Sequence, residues 1–144
     1  MRTFVVIIDE SEEASAALRF AASQAAACEG TVHLLALVPQ QSFSAFGGVQ
    51  ATIEAEARDR AEMLAHAVAG NLFAESGIMP TISVMVGNSQ KIVSEYLTKH
   101  PGIAALVLGA AKGSNPGPLV THFSGAAGNL PCPLFIVPAD YTGA

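Results

Sequence analysis

Positive charge is in short supply: seven Lys and Arg stand against twelve Asp and Glu, for a formal net charge of −5. That balance excludes the non-specific grip on DNA or RNA that needs a basic face. Charged residues of either sign make up only 13% of the chain while apolar ones reach 51%, so each helix is expected to bury one broad face. No apolar run is long enough to span a bilayer. A signal peptide is not expected, because the first apolar run is short and passes straight into acidic Asp9-Glu10-Ser11-Glu12-Glu13. Cys28 and Cys132 are too few and too far apart for a disulfide framework, and each reads as a buried free thiol among apolar neighbours. A cytoplasmic location follows as the default. His33, His66, His100 and His122 show no metal-ligand spacing. Internal repeats and low-complexity segments are also missing.

What is present is a regular alternation of strands and helices in one domain, residues 1–144, long enough to bury a real core. Thr3 to Ile8 is β-branched and apolar, as a strand covered on both faces should be. Ser11 then stands where an N-cap belongs, with Glu12 and Glu13 favouring the positive helix end. Ala14, Ala17, Leu18, Ala21, Ala25 and Cys28 form a thin apolar side that allows close approach to a sheet, and Glu29-Gly30 is the stop. Thr31 to Val38 is the second strand, closed by Pro39. Gln40 to Gly48, with Phe43 and Phe46, reads as a mobile loop. A long helix from about Val49 to Ser76 carries Ile53, Ala57, Ala61, Leu64, Val68 and Leu72 on one stripe. Glu54 with Arg58 and Glu56 with Arg60 are i,i+4 pairs on its other side, while Gly70 interrupts the pattern.

Thr81 to Val86 alternates more than the other strands and so belongs nearer an edge. Gly87-Asn88-Ser89 opens a helix bearing Ile92, Val93, Tyr96 and Leu97; Lys99 and His100 suit its last turn, and Pro101-Gly102 breaks it. The stretch Ile103 to Pro118 is a buried strand running directly into a glycine-rich loop. In open α/β sheets, ligands bind beyond the carboxyl ends of the strands, where strand order reverses, so this loop is the first candidate for a site. A short helix from about Pro118 to Gly128 follows, then a fifth strand, Leu134 to Val137, and a frayed tail from Asp140 to Ala144. The count implies an α/β fold: an open five-stranded parallel sheet with helices on both faces and right-handed crossovers.

Four pieces of sequence, in order, resemble the universal stress protein family. The first strand ends Ile8-Asp9-Glu10-Ser11-Glu12-Glu13, and the second ends Val38-Pro39. Met85-Val86-Gly87-Asn88-Ser89 precedes a helix beginning near Ile92, and Leu106-Val107-Leu108-Gly109 leads through the glycine loop to Pro131-Cys132-Pro133-Leu134-Phe135-Ile136-Val137-Pro138. The resemblance runs nearly end to end. It implies a Rossmann-like, adenine-nucleotide alpha-hydrolase-like sheet of order 3-2-1-4-5. It also implies a homodimer through the closing strand, and ATP or another adenine nucleotide, with or without Mg²⁺, in the crevice between strands 1 and 4.

Nucleotide-binding members of that family share the pattern Gly-x2-Gly-x9-Gly followed by Ser or Thr, whose glycines bring backbone N–H groups up to phosphate. Carried over residue by residue, Asp9 would accept a ribose hydroxyl, and Val38 would meet the adenine edge through its backbone. Gly109 would approach the ribose, and Gly113 a phosphate. This chain departs from the pattern: three residues separate Gly109 from Gly113, Lys112 takes the expected glycine place, and Phe123 stands where the third glycine belongs. Pro116 and Pro118 each remove a backbone donor. The cradle is altered or lost. In compensation, Pro118 suits the first position of a helix, whose free Leu119 and Val120 amides could face an anion, helped by Ser114, Thr121 or Lys112. His122 lies beside this loop.

Other classes are weighed against this reading. No Gly-x-x-x-x-Gly-Lys-Ser/Thr loop, no Gly-x-Ser-x-Gly elbow and no nucleophile with an evident base is present, so no catalytic residue is nominated. A phosphoacceptor receiver would need an Asp after the third strand and a Lys after the fifth, where Met85-Val86-Gly87 and Val137-Pro138-Ala139 stand. The serious rival is a dimeric interaction module that has given up its ligand. For Asp9 the plain alternative is a cap on the following helix.

Overall fold

The computed structural model describes residues 2–39 and 47–143, with only the helical backbone described for 47–51. The expected loop with Phe43 and Phe46 lies outside the described residues, apart from Gly47 and Gly48. The elements run β1 (Thr3–Ile8), α1 (Glu12–Ala27), β2 (Thr31–Val38), α2 (Gly47–Ser76), β3 (Thr81–Val86), α3 (Ser89–Lys99), β4 (Ile103–Ala110), α4 (Pro118–Gly125) and β5 (Leu134–Pro138). A 3₁₀ turn, Ala127–Asn129, separates α4 from the last strand, so the helix expected to reach Gly128 stops three residues short. The sheet has the order β3-β2-β1-β4-β5, and all of its strand pairs are parallel. Order reverses between β1 and β4, which lie side by side.

Each helix begins and ends for a local reason. The Ser11 hydroxyl accepts the Ala14 N–H at 3.1 Å, which caps α1, and the Asn88 side chain accepts the Lys91 N–H at 2.9 Å, which caps α3. At the end of α1, Glu29 adopts the left-handed conformation at φ 55°, and the Gly30 N–H reaches back to the Ala25 carbonyl at 2.7 Å. Gly30 is needed for a different reason: a Cβ there would stand 2.4 Å from the Arg2 carbonyl oxygen. α2 runs unbroken through Gly70, whose Cβ position faces open space. Its expected stripe is partly or fully buried, with Ala65 added as its most buried member. The i,i+4 pairs of α2 are not closed; among the described residues the ion pair present is Lys112–Asp140.

Two apolar layers sandwich the sheet. On one side Phe4, Val6, Leu34 and Val107 pack under the alanines of α1 and the stripe of α2. On the other, Val5, Leu35, Leu106 and Leu108 pack under Val93 and Leu97 of α3 and Phe123 of α4. β3, the more alternating strand, is at one edge, and β5 is at the other. In the tail expected to fray, Asp140 lies 3.9 Å from Lys112 with both side chains exposed, and the Tyr141 ring lies 6.0 Å from that of Phe20; Ala144 lies outside the described residues. Both cysteines are free and half-buried; burial pushes the Cys132 thiol up, partly offset by a backbone hydrogen bond from Leu106. Among the described residues no helix is long and apolar enough to cross a membrane.

Candidate functional site

The carboxyl ends of β1 and β4 open a crevice bounded by the starts of α1 and α4. Asp9 follows β1 directly, and its Oδ1 accepts the Ser11 N–H at 2.8 Å. That bond shapes the turn into α1 and leaves the second carboxylate oxygen, on an exposed residue, available to a hydroxyl donor. Asp9 is thus both the turn former of the plain alternative and a wall of the crevice.

The crevice has two lobes that share Ile7, Asp9, Pro118 and Leu119. The larger, ≈ 460 Å³, lies toward β2 and β3 and is closed by Leu37, Pro39, Gly87, Asn88 and Ser89. The smaller, ≈ 170 Å³, lies toward β4 and is closed by Ser11, Glu13, Gly109, Pro116 and Gly117. The larger lobe falls within the ~300–1,000 Å³ of ordinary small-molecule sites, and the smaller falls below it.

Of the residues expected at the site, the structure brings Asp9 and Gly109 to the same lobe. Gly109 is small because α1 presses on it: a Cβ there would stand 2.0 Å from the Glu13 carbonyl oxygen. Val38 is buried, and its carbonyl accepts the Gly87 N–H at 3.0 Å; its neighbours Leu37 and Pro39 line the crevice in its place. Gly113 and Ser114 are exposed and outside both lobes. The Ala111 N–H donates to the Pro116 carbonyl at 3.1 Å, closing the intervening loop on itself. Gly113 keeps the left-handed conformation at φ 94°. Thr121 is also exposed, its hydroxyl donating to the Gly117 carbonyl at 2.9 Å. Lys112 is turned to Asp140.

Pro118 is the first residue of α4, as expected, and the helix starts without a capping side chain. Leu119 and Val120 line the small lobe, so first-turn amides lacking intrahelical acceptors border it. Phe123, at the place of the family's third glycine, is 1% exposed and anchors the core under α4. His122 is exposed and meets the Phe123 ring edge-on at 4.8 Å. Glu13, Asn88 and Ser89 went unrecognised as crevice residues. The signal was available, since residues that open a helix directly after a parallel strand face this same crevice.

A second polar cluster sits at the opposite pole, by the strand amino ends. His33 of β2 is buried; its Nε2 pairs with the Ser83 hydroxyl at 2.8 Å and its Nδ1 with the Tyr96 hydroxyl. Tyr96 in turn stacks on His100 at 4.0 Å, and the His100 Nδ1 donates to the Tyr96 carbonyl at 2.8 Å. Burial, and then the nearby His100, hold the His33 imidazole below the ordinary histidine value; burial raises the Tyr96 phenol.

The fold and crevice define a Rossmann-like α/β domain with an open cleft at its strand-order reversal. More particularly, the universal stress protein family model matches residues 1–138, and the chain belongs to that family. Among solved structures it is similar to the universal stress protein UspA from Lactobacillus plantarum, at 19% identity and TM-score 0.80, covering 94% of this chain and 97% of that one. It is similar also to a universal stress protein family protein from Arabidopsis thaliana with AMP bound, at 12% identity and TM-score 0.62, covering 96% and 92%. A third is a universal stress protein in complex with cAMP, at 15% identity and TM-score 0.59, covering 94% and 96%. Likeness at these identities establishes the shared fold alone. No curated protein sequence matches the chain.

Proposed function

We propose that this chain is a stress-response domain that binds an adenine nucleotide or a related small molecule in the crevice between β1 and β4. The observation that carries the reading is the joint placement of Asp9 and Gly109 in one cleft at the sheet's reversal point. The larger lobe has room for a base against Leu37 and Pro39, with a ribose beside the free oxygen of Asp9. Family structures described with AMP and with cAMP support this class of ligand. Mg²⁺ would arrive on the ligand's phosphates, because among the described residues no group of three His, Cys, Asp or Glu could hold a metal.

The test is thermal shift and calorimetry with ATP, ADP, AMP and cyclic AMP, with and without Mg²⁺. A ligand at a hundredfold excess over its Kd stabilises the native state by about 2.7 kcal/mol. A shift in the wild type that is lost in Asp9→Ala supports the pocket. Silence from every nucleotide supports the rival reading, a ligand-free dimeric module, which the buried Phe123 favours.

For the partner we propose a second copy of the chain, joined through β5. That strand is a sheet edge, and Phe135 and Ile136 on it are 36% and 42% exposed. An open edge with exposed apolar side chains is a template for strand pairing.

A further inference from the structure

Apart from the Tyr96 phenol, His33 is the only polar side chain buried in the core among the described residues. Its ring ties three elements together: β2, which carries it, β3 through the Ser83 hydroxyl at 2.8 Å, and α3 through the Tyr96 hydroxyl. A neutral imidazole has one N–H and one lone pair, so one hydroxyl donates to it and the other accepts. Tyr96 carries the more acidic hydroxyl and is the better donor to Nδ1, which leaves Nε2–H for Ser83. An added proton spoils this match: both nitrogens then donate, and the Tyr96 hydrogen must turn elsewhere. Among the described residues that hydroxyl has no other partner. Tyr96 and His33 both line a cavity of ≈ 510 Å³ at the amino ends of the strands, which gives solvent a route to them.

The added charge finds little to balance it. No Asp or Glu lines that cavity. β1 brings Thr3 and, as the register partner of His33, Val5; β3 brings Thr81 and Ser83, and β4 brings Ile103. The basic residues Lys99 and His100 stand on the same rim, and the His100 ring stacks on that of Tyr96 at 4.0 Å. The carboxyl end of α3 offers roughly half a negative charge, but Lys99 and His100 already sit on that turn. α1 and α2 pack on the other face of the sheet. β3 is an edge strand with no fully buried residue, and α3 is capped by His100, whose N–H donates to the Tyr96 carbonyl at 3.1 Å. We propose that His33 is an acid-operated latch: on taking a second ring proton from solvent it releases Tyr96, and the last turn of α3 opens while the sheet stays paired. The latch lies at the pole opposite the crevice and works without a ligand.

Native-state hydrogen exchange of the full chain, followed by NMR from about pH 7.5 to about pH 5, tests this. After correction for the intrinsic pH dependence of exchange, the His100 amide should lose protection about tenfold per pH unit below the ordinary histidine value. That loss should be indifferent to low urea, as a local opening is, while the amides of β1 and β4 stay better protected and urea-sensitive. His33→Gln should abolish the pH step. His100→Gln removes the neighbouring like charge and should move the step to higher pH, a shift that a merely structural role for His33 would not produce. A His33 ring that titrates with no loss at His100, a step that survives in His33→Gln, or a loss that reaches β1 and β4 equally overturns the inference. Should His33→Gln fail to fold, the wild-type profile and the direction of the His100→Gln shift still decide it.

Discussion

Gly109 and Glu13 meet backbone to backbone: a methyl group on Gly109 would stand 2.0 Å from the Glu13 carbonyl oxygen and 2.3 Å from its carbonyl carbon. The obstruction is helix backbone, which cannot swing aside as a flexible side chain could. Gly109→Ala should therefore push α1 off β4 and destabilise by about 1–3 kcal/mol or more. At about 2–4 °C per kcal/mol, calorimetric melting should fall by several degrees. An unchanged melting temperature would show that α1 yields freely at this point.

Phe123 tests whether the family's phosphate cradle can be recovered by sequence alone. Its ring is enclosed beneath α4 among Leu106, Leu108 and Leu97. Phe123→Gly restores the family residue but deletes a core anchor, and should cost at least the roughly 3–5 kcal/mol typical of emptying such a site. No gain in ATP affinity should accompany it, because Gly113 and Ser114 still lie outside both lobes. Chemical denaturation and calorimetry on the same variant check both halves; tightened ATP binding would contradict the geometry described.

The buried histidine gives the protein a pH dependence with a definite sign. The folded His33 binds its proton less readily than the unfolded one, first through burial and then through His100. The unfolded chain thus takes up more protons below the ordinary histidine value of 6.5, and stability is lost as pH falls from there toward the folded value. The groups around the ring are Ser83 of β3, Tyr96 of α3 and His100 just beyond that helix, with Lys99 and Thr81 at the rim. In urea titrations the wild-type midpoint should decline through this range, and His33→Gln should lack that component while starting from lower stability. Parallel pH curves for the two proteins would remove His33 as the source.

The β5 edge makes a prediction about assembly. Ile136→Lys places a charge on an exposed edge strand, where lysine is an effective block to pairing. Light scattering should show the wild type as a dimer and the variant as a monomer, with the melting temperature of the monomeric fold little changed. A wild type that is monomeric at high concentration would refute the β5 interface.

Much of this architecture was legible in the sequence, because the signals involved are local. Continuous apolar runs marked β1, β2 and β4, and Ser11 and Asn88 marked the helix starts that their side chains do cap. Asp9 was legible for the same reason, as the acidic residue ending the first strand. What was not legible depends on contacts between distant segments. Gly109 suggests an approach to ligand, yet α1, nearly a hundred residues earlier in the chain, is what crowds it. The Gly113–Ser114 loop is closed by a hydrogen bond between Ala111 and Pro116, which composition does not announce. Tyr141 meets Phe20 edge-on, and His33 finds Tyr96 across 63 positions. Neither pairing has a local pattern.

The two tyrosines divide the molecule into separately observable ends. The chain has no tryptophan, so Tyr96 and Tyr141 dominate its intrinsic emission over the weaker phenylalanines. Tyr96 is buried against His33, while Tyr141 is 37% exposed beside Phe20 and β5. In a Tyr141→Phe protein the remaining fluorescence comes from a phenol bonded to an imidazole, and its intensity follows the proton on that ring. In a Tyr96→Phe protein it comes from the rim of the β5 edge. Each end thus has its own built-in lamp, and neither needs a dye.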